Sequence, residues 1–274
     1  MGVKRLTLLV VGLTLSASGA FGQQVSEQRV RAAIDDAARG LGQAVAGGSP
    51  LTAPAGTTGG LGHFQVGVAG AVTRMEIEDP RVEEGTVEFY LPVGTAQGAI
   101  GITGGGGLGF GAIDLIGRVG PVVAREEYED TRTLIGIGAR IGILGETAAL
   151  PALSATVSRS WVDDLEWGDP AADEVSFGAD VATLSARLDV SKSLLLVTPY
   201  AGVGIDRTAI DARYRIPPSH ATGGSEIQGR FDTSSTHHKA YAGVELGFIL
   251  LKATIEAGVY DGGAFAAAGV RAGI

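Results

Sequence analysis

Four histidines and a set of charged side chains recurring at every second position are the parts of this 274-residue chain that could do chemistry. The histidines are His63, His220, His237 and His238. Ser234 and Ser235 stand just ahead of the last two, and Asp163 and Asp164 could supply an acidic partner. The residue types for a nucleophile, a base and an orienting carboxylate are therefore present. Their placement argues against that use, because neighbours along an extended strand point to opposite faces and His237 and His238 cannot work on one side. No third orienting residue follows from the spacing, so a hydrolase ranks third among the readings. The run Gly104 to Gly107 lacks the Lys-Ser/Thr of a phosphate loop, and the acidic stretches lack the fixed ligand spacing of a calcium loop. No metal and no cofactor is expected.

The charged residues are the better lead. Lys239 and Glu245 share one face of an alternating stretch, Lys252 and Glu256 share a face of the next, and Arg271 lies on the corresponding face of the last. Arg140 holds the same kind of position earlier in the chain, as do Asp114 and Arg118. Opposite charges facing one another across a ladder attract. In a barrel of about ten strands these inward candidates would pack into an ion-pair network that closes the interior. In one of about twelve or more they would line a pore and set its selectivity.

The elements that position them alternate with a period of two. Leu251, Ala253, Ile255, Ala257 and Val259 oppose Lys252, Thr254, Glu256, Gly258 and Tyr260. Ala266, Ala268, Val270, Ala272 and Ile274 oppose Ala267, Gly269, Arg271 and Gly273. Similar rows begin at Leu195, His238 and Ile135, and such alternation over nine or more residues predicts strands. The apolar rows from Leu195, Leu251, Ala266 and Ile135 carry no charge. A lipocalin-like barrel would reverse this, with charges outside and an apolar pocket within. A β-structure crosses a bilayer only when closed, with an apolar exterior and an interior that tolerates water. Glycine, at 44 residues, is in excess and suits strands whose inward side must stay small. Aromatics make up only 6%, although Tyr200, Trp161, Phe177, Tyr241, Tyr260 and Phe265 fall near expected strand ends, where interfacial girdles would lie.

Along the chain, residues 1–22 read as a secretory signal peptide: Lys4 and Arg5, the apolar run Leu6 to Leu15, then small residues to Gly22. Without it, 19 basic groups face 30 acidic ones, a formal charge near −11. That balance argues against nucleic-acid binding and against docking on anionic lipid through a basic surface. There is no cysteine, so an exported chain must rely on burial and backbone pairing. Residues 23–61 form a helical segment and linker. Val30, Ile34, Ala37, Leu41 and Val45 recur at helical spacing, Ser26 can cap, and Gly47-Gly48-Ser49-Pro50 stops the helix. A periplasmic position at one end of the barrel is expected for it, with a plug inside as the alternative, since a small barrel is filled by its own side chains.

Residues 62–274 form the barrel domain. Long polar connections at Gly120–Thr131, Val162–Glu174 and Arg207–Ser235 alternate with short ones at Gly145–Ala149, Ser191–Ser193 and near Leu250. In Val175–Val190 the parity slips at Ala182-Thr183, which predicts a β-bulge. Counting strands gives about ten, with room for more in Gly94–Gly107 and Arg207–Ser235. The fold class is all-β: an antiparallel up-and-down transmembrane β-barrel of about 10–14 strands with a short N-terminal helix.

Ser191-Lys192 followed by Pro199-Tyr200-Ala201-Gly202-Val203-Gly204, a long loop and a terminal hairpin resembles an uncharacterised family of exported bacterial outer-membrane β-barrels. The first strand behind Gly59-Gly60-Leu61-Gly62 is similar too. The likeness is one of pattern and spans most of the chain. More distantly, the chain is similar to fatty-acid-type channels for hydrophobic compounds, which pair an N-terminal helical segment with a barrel. The resemblance implies the bacterial outer membrane but no catalytic or binding residue. The expected function is a passive channel or transporter for small solutes, hydrophobic ones among the candidates. The alternative is a non-conducting structural or surface-interaction barrel. Expected partners are outer-membrane lipid and lipopolysaccharide, the barrel-assembly machinery and a small-molecule solute.

Overall fold

The computed structural model describes residues 27–48, 54–78, 86–104, 110–123, 131–167, 176–219, 221, 224–248 and 250–273. The signal peptide, His220, the glycine run and most of the charged segments after Val123 and Trp167 lie outside these residues. Alternation closes the chain on itself. Ten strands follow in order: β1 (Phe64–Glu78), β2 (Thr86–Thr103), β3 (Ile113–Val123), β4 (Thr131–Leu144) and β5 (Ala152–Trp167), then β6 (Ser176–Ser191), β7 (Val197–Ile216), β8 (Ile227–Phe248), β9 (Leu251–Tyr260) and β10 (Gly263–Gly273). Each pairs antiparallel with the next, and β10 returns to β1 from Gln65↔Gly273 to Met75↔Gly263, so the barrel is closed and has no open edge. The stretches Gly94–Gly107 and Arg207–Ser235 yield no additional strand among the described residues. They lengthen β2, β7 and β8 instead.

The apolar rows face outward, as their exposure shows: Val203 is 56% exposed, Ile255 65% and Ile137 60%. Among the described residues no helix is long and apolar enough to cross a membrane, so any crossing is made by strands. In β9 the outward row Leu251 to Val259 covers nine residues, about 30 Å of strand at roughly 3.3 Å per residue, which suits a hydrocarbon core. At the rim where β1 begins and β10 ends, the connections keep large apolar residues exposed, among them Leu61, Phe110, Leu150, Leu195 and Leu250. We call this the terminal rim.

At the opposite rim the pattern inverts. In β7 the outward residues change from Val203 and Ile205 to Arg207, Asp211 and Arg213, while Ile210, Ala212, Tyr214 and Ile216 turn inward and are buried. β6 inverts at the same height, with Leu184 and Leu188 outside below and Ala179 and Val181 inside above, and Thr183 pairs with Thr208 there. The register through Ala182 and Thr183 is continuous on both sides. The bulge expected there is absent; the parity changes because the surroundings change from lipid to water while the strand runs straight on. The bulge in this pair lies between Val162 and Leu165, where Asp164 takes a φ of 54°. β5 to β8 thus rise beyond the apolar belt as a tower, charged outside and apolar within. The long polar loops expected from Val162 and from Arg207 are in large part the outer faces of these strands.

Helix α1 (Glu27–Ala46) ends at Gly47, whose φ of 66° and N–H bond to the Gln43 carbonyl (2.8 Å) make the left-handed stop expected of glycine. It lies inside the barrel. Its Ala38, Leu41, Ala44 and Val45 pack with Val93, Val122, Leu134, Val162, Val181 and Ile210 in one buried cluster. The helix is therefore a plug and not a periplasmic appendage. An interior lined by tower-side valine, leucine and isoleucine offers the helix its apolar partner.

Candidate functional site

α1 descends from the tower rim to mid-barrel. Arg39 approaches Gly262 in the β9–β10 turn, Gly40 faces Met75 near the top of β1, and Gly42 faces Thr208. Arg118 donates to the carbonyls of Val45 and Ala46 and, through Nε, to Ser160 Oγ at 2.9 Å. A cation on the last carbonyls satisfies groups that the helix leaves unpaired and complements its dipole. Nearer the terminal rim the described part of the linker, residues 54–60, meets the wall. Ala55 N–H donates to Ser191 Oγ (3.0 Å), and Thr58 donates to Asp114 through its hydroxyl (2.7 Å) and its N–H (3.1 Å). The helix thus occupies the tower side of the lumen, and the described linker residues from Pro54 on meet the wall on the terminal side.

The wall around them carries the charges. Arg140 and Asp114 meet at 2.6 Å, both essentially without solvent exposure. Arg271 binds Glu245 at 2.6 Å, and Lys252 approaches the same carboxylate at 3.5 Å. Lys239 binds Asp206 at 2.7 Å, with His237 on that oxygen at 3.2 Å. Tyr200 donates to Glu256 (3.2 Å) and Tyr241 donates to Asp189. All eight inward candidates thus face the interior, though in separate groups: Asp114 with Arg140 low on one wall, Glu245 with Arg271 and Lys252 low on another, and Lys239, Glu256 and Arg118 higher. Asp206, Asp189, Arg187 and His237 belong to the same wall; His237 was weighed only as a catalytic base, and Asp189 and Arg187 were not singled out. For Asp189 and Arg187 the signal was in the sequence, since Ala186, Leu188 and Val190 alternate with them as an outward apolar row. Tyr200, Tyr241, Tyr260 and Phe265 are buried in one inward cluster and form no interfacial girdle. Their hydroxyls explain it, for Tyr200 and Tyr241 serve carboxylates of the wall.

The histidines separate as strand geometry requires. His237 is buried beside Asp206, and His238 points outward and pairs with Asp261 at 3.0 Å. The space left around the end of the helix, among Gln97, Arg118, Thr156, Arg187 and Lys239, is about 20 Å³, room for roughly one water.

Outside, the tower carries a ladder of ion pairs. Arg213 binds Asp164 (2.8 Å), Arg215 binds Glu226 (2.8 Å), and Arg230 binds Asp211. Each arginine holds its carboxylate below the ordinary range, mainly through the hydrogen bond itself. On β2, hydrogen bonds from Arg74 and then Tyr90 hold Glu88 down to about 2. Asp180, Asp211 and Asp232 stand directly opposite one another and line a groove of about 420 Å³ with Asp163. Among the described residues no group of three or more such side chains is placed to hold a metal ion.

No protein-family model and no curated protein sequence matches the chain. Solved structures do. The outer-membrane protease OmpT from Escherichia coli is 9% identical, with 80% of this chain and 100% of that one covered at a TM-score of 0.40. The translocator domain of the autotransporter NalP from Neisseria meningitidis is 11% identical over 81% and 90%, at 0.41. Ail, the attachment invasion locus protein of Yersinia pestis, is 10% identical over 78% and 97%, at 0.34. Their names describe different activities, and the likeness is one of overall shape alone. With its closed ladder and outward apolar belt, this chain is a ten-stranded antiparallel β-barrel of the kind that crosses a bilayer.

Proposed function

We propose that this is a non-conducting outer-membrane barrel that acts through its tower and not through its lumen. The observation that carries the reading is the occupied interior: α1 packs into the tower side, Arg118 ties its last carbonyls to the wall, and paired charges surround it, with about 20 Å³ left beside the helix end. The tower rim, farther from the belt than the terminal rim, is the outer face, as in barrels that trim their periplasmic side. Lipopolysaccharide and other outer-membrane lipid are then its surroundings, and the barrel-assembly machinery places it there after export. A passive channel, the other expectation, requires α1 to leave. That exposes Leu41 and Val45, at roughly 1.5–3 kcal/mol each, besides the Arg118 bonds to the helix end.

Planar-bilayer recording tests this. The intact barrel is expected to give no current steps, and a variant lacking residues 23–48 is expected to give them. Steps from the intact, folded protein at a similar rate would overturn the reading.

A further inference from the structure

In the outward rows of the described strands, one charge stands inside the apolar belt: Arg159 on β5. Val157 and Trp161 flank it along the strand, and Ile137 and Leu184 face it across the two ladders. Leu184 pairs in turn with Arg207 on β7, and Arg207 with Thr236 on β8. One rung thus reads Ile137, Arg159, Leu184, Arg207, Thr236. The two arginines lie on the same outer face, roughly 10 Å apart across one intervening strand. Both are exposed, and neither forms a hydrogen bond or ion pair with a described residue. The other arginines that face outward higher up, Arg74, Arg213 and Arg230, are each held by a carboxylate.

The height of the rung says what could meet these two guanidinium groups. The rung above, Trp161, Ala182, Ala209, is the last before the aspartates of the tower, and the rung below is apolar through Val157, Ala186 and Ile205 and ends on β8 at His238, which Asp261 holds. The pair sits where the belt ends on the tower side. A guanidinium at this depth extends towards the headgroups to escape the acyl chains. Ala182 and Ala209 beside them floor the lower end of the groove whose upper end Asp163, Asp180, Asp211 and Asp232 line. With the barrel's own carboxylates engaged or farther up the tower, the anions at this level are those of the lipid. Phosphate matches the planar fork of arginine.

We propose that Arg159 and Arg207 clamp the phosphate of a phosphorylated lipid headgroup in the outer leaflet, with the Trp161 ring, Ala182 and Ala209 against its acyl chains. The acidic balance of the whole chain is no obstacle, because the clamp is local and faces lipid. The proposal rests on the membrane assignment and on the tower facing outward, and is independent of whether the lumen conducts.

The test uses the full mature barrel in neutral detergent, titrated with bisphosphorylated lipid A and followed by native mass spectrometry. Wild type is expected to retain the lipid. Arg159→Gln with Arg207→Gln is expected to weaken retention at least tenfold, and Arg74→Gln, whose guanidinium already has carboxylate partners, to leave it unchanged. Heat-dependent gel mobility checks folding. The double variant removes charge from an apolar belt, so in lipid-free detergent it should be no less stable than wild type, whereas a structural role for the arginines would make it less so. Equal retention by the double variant overturns the proposal, as does equal retention of dephosphorylated lipid A. Complete displacement of lipid A by excess inorganic phosphate would reduce the site to a small-anion site and overturn the lipid assignment.

Discussion

Gly42 decides how closely the helix lies against its wall. A Cβ at that position would collide with the Thr208 hydroxyl, and one at Gly40 would come within 2.7 Å of the Met75 Cβ. Gly42→Val is therefore expected to push α1 off β7, costing about 1–3 kcal/mol as overpacking does, and to let current through an otherwise silent barrel. A lowered urea midpoint and bilayer recording check the two effects, with Gly117→Ala, where nothing lies within 4 Å, as the control. At this scale the sequence was informative about parity and blind to partners. Lys239, Glu245 and Arg271 could be placed on the inward face by alternation, but that Lys239 would meet Asp206, or that Arg118 would end a helix, depends on depth in the barrel, which a period of two does not encode. Arg159 lies in a row otherwise apolar, where the pattern reads as a single exception.

Among the elements, α1 was legible as a helix because its apolar residues recur at steps of three and four. Its position was not, because the face it needed is built by tower strands that read as loops. Those strands hid themselves: from Thr183 in β6 and Thr208 in β7 upward, polar residues occupy the parity that lipid-facing ones hold below, and an alternation that changes sense looks like an alternation that stops. The direction of the helix has a consequence. Arg39 is already level with the β9–β10 turn, and Glu27 stands twelve residues further on, about 18 Å along the axis on the tower side. An epitope inserted after Gln24 is therefore expected to bind antibody on intact cells. Labelling only after permeabilisation would mean that the tower faces the periplasm.

For the whole molecule, the closed barrel and its strand number near ten followed from periodicity and from the polar intervals, since β4, β9 and β10 alternate without interruption. What sequence could not supply was the two-zone build, lipid-facing below and water-facing above, because each zone alone satisfies a period of two. The belt makes one demand on the solvent. Purified mature protein is expected to stay monomeric and folded only in detergent or lipid, and size-exclusion chromatography in plain buffer checks it: a folded monomer there would place the apolar rows on the wrong side of the account.

The β1–β10 seam pairs eleven residues from each strand and encloses a helix that, with side chains, is about 10–12 Å across. A finished ladder leaves no gap wide enough to admit it from the side, and the paired wall charges obstruct passage along the axis. The order of biogenesis follows: α1 must be inside while the sheet is still an open trough, and zipping β10 onto β1 is the last event. The helix that precedes every strand in the chain is thus the one the final stitch locks in, and a chain whose helix arrives late would close around nothing.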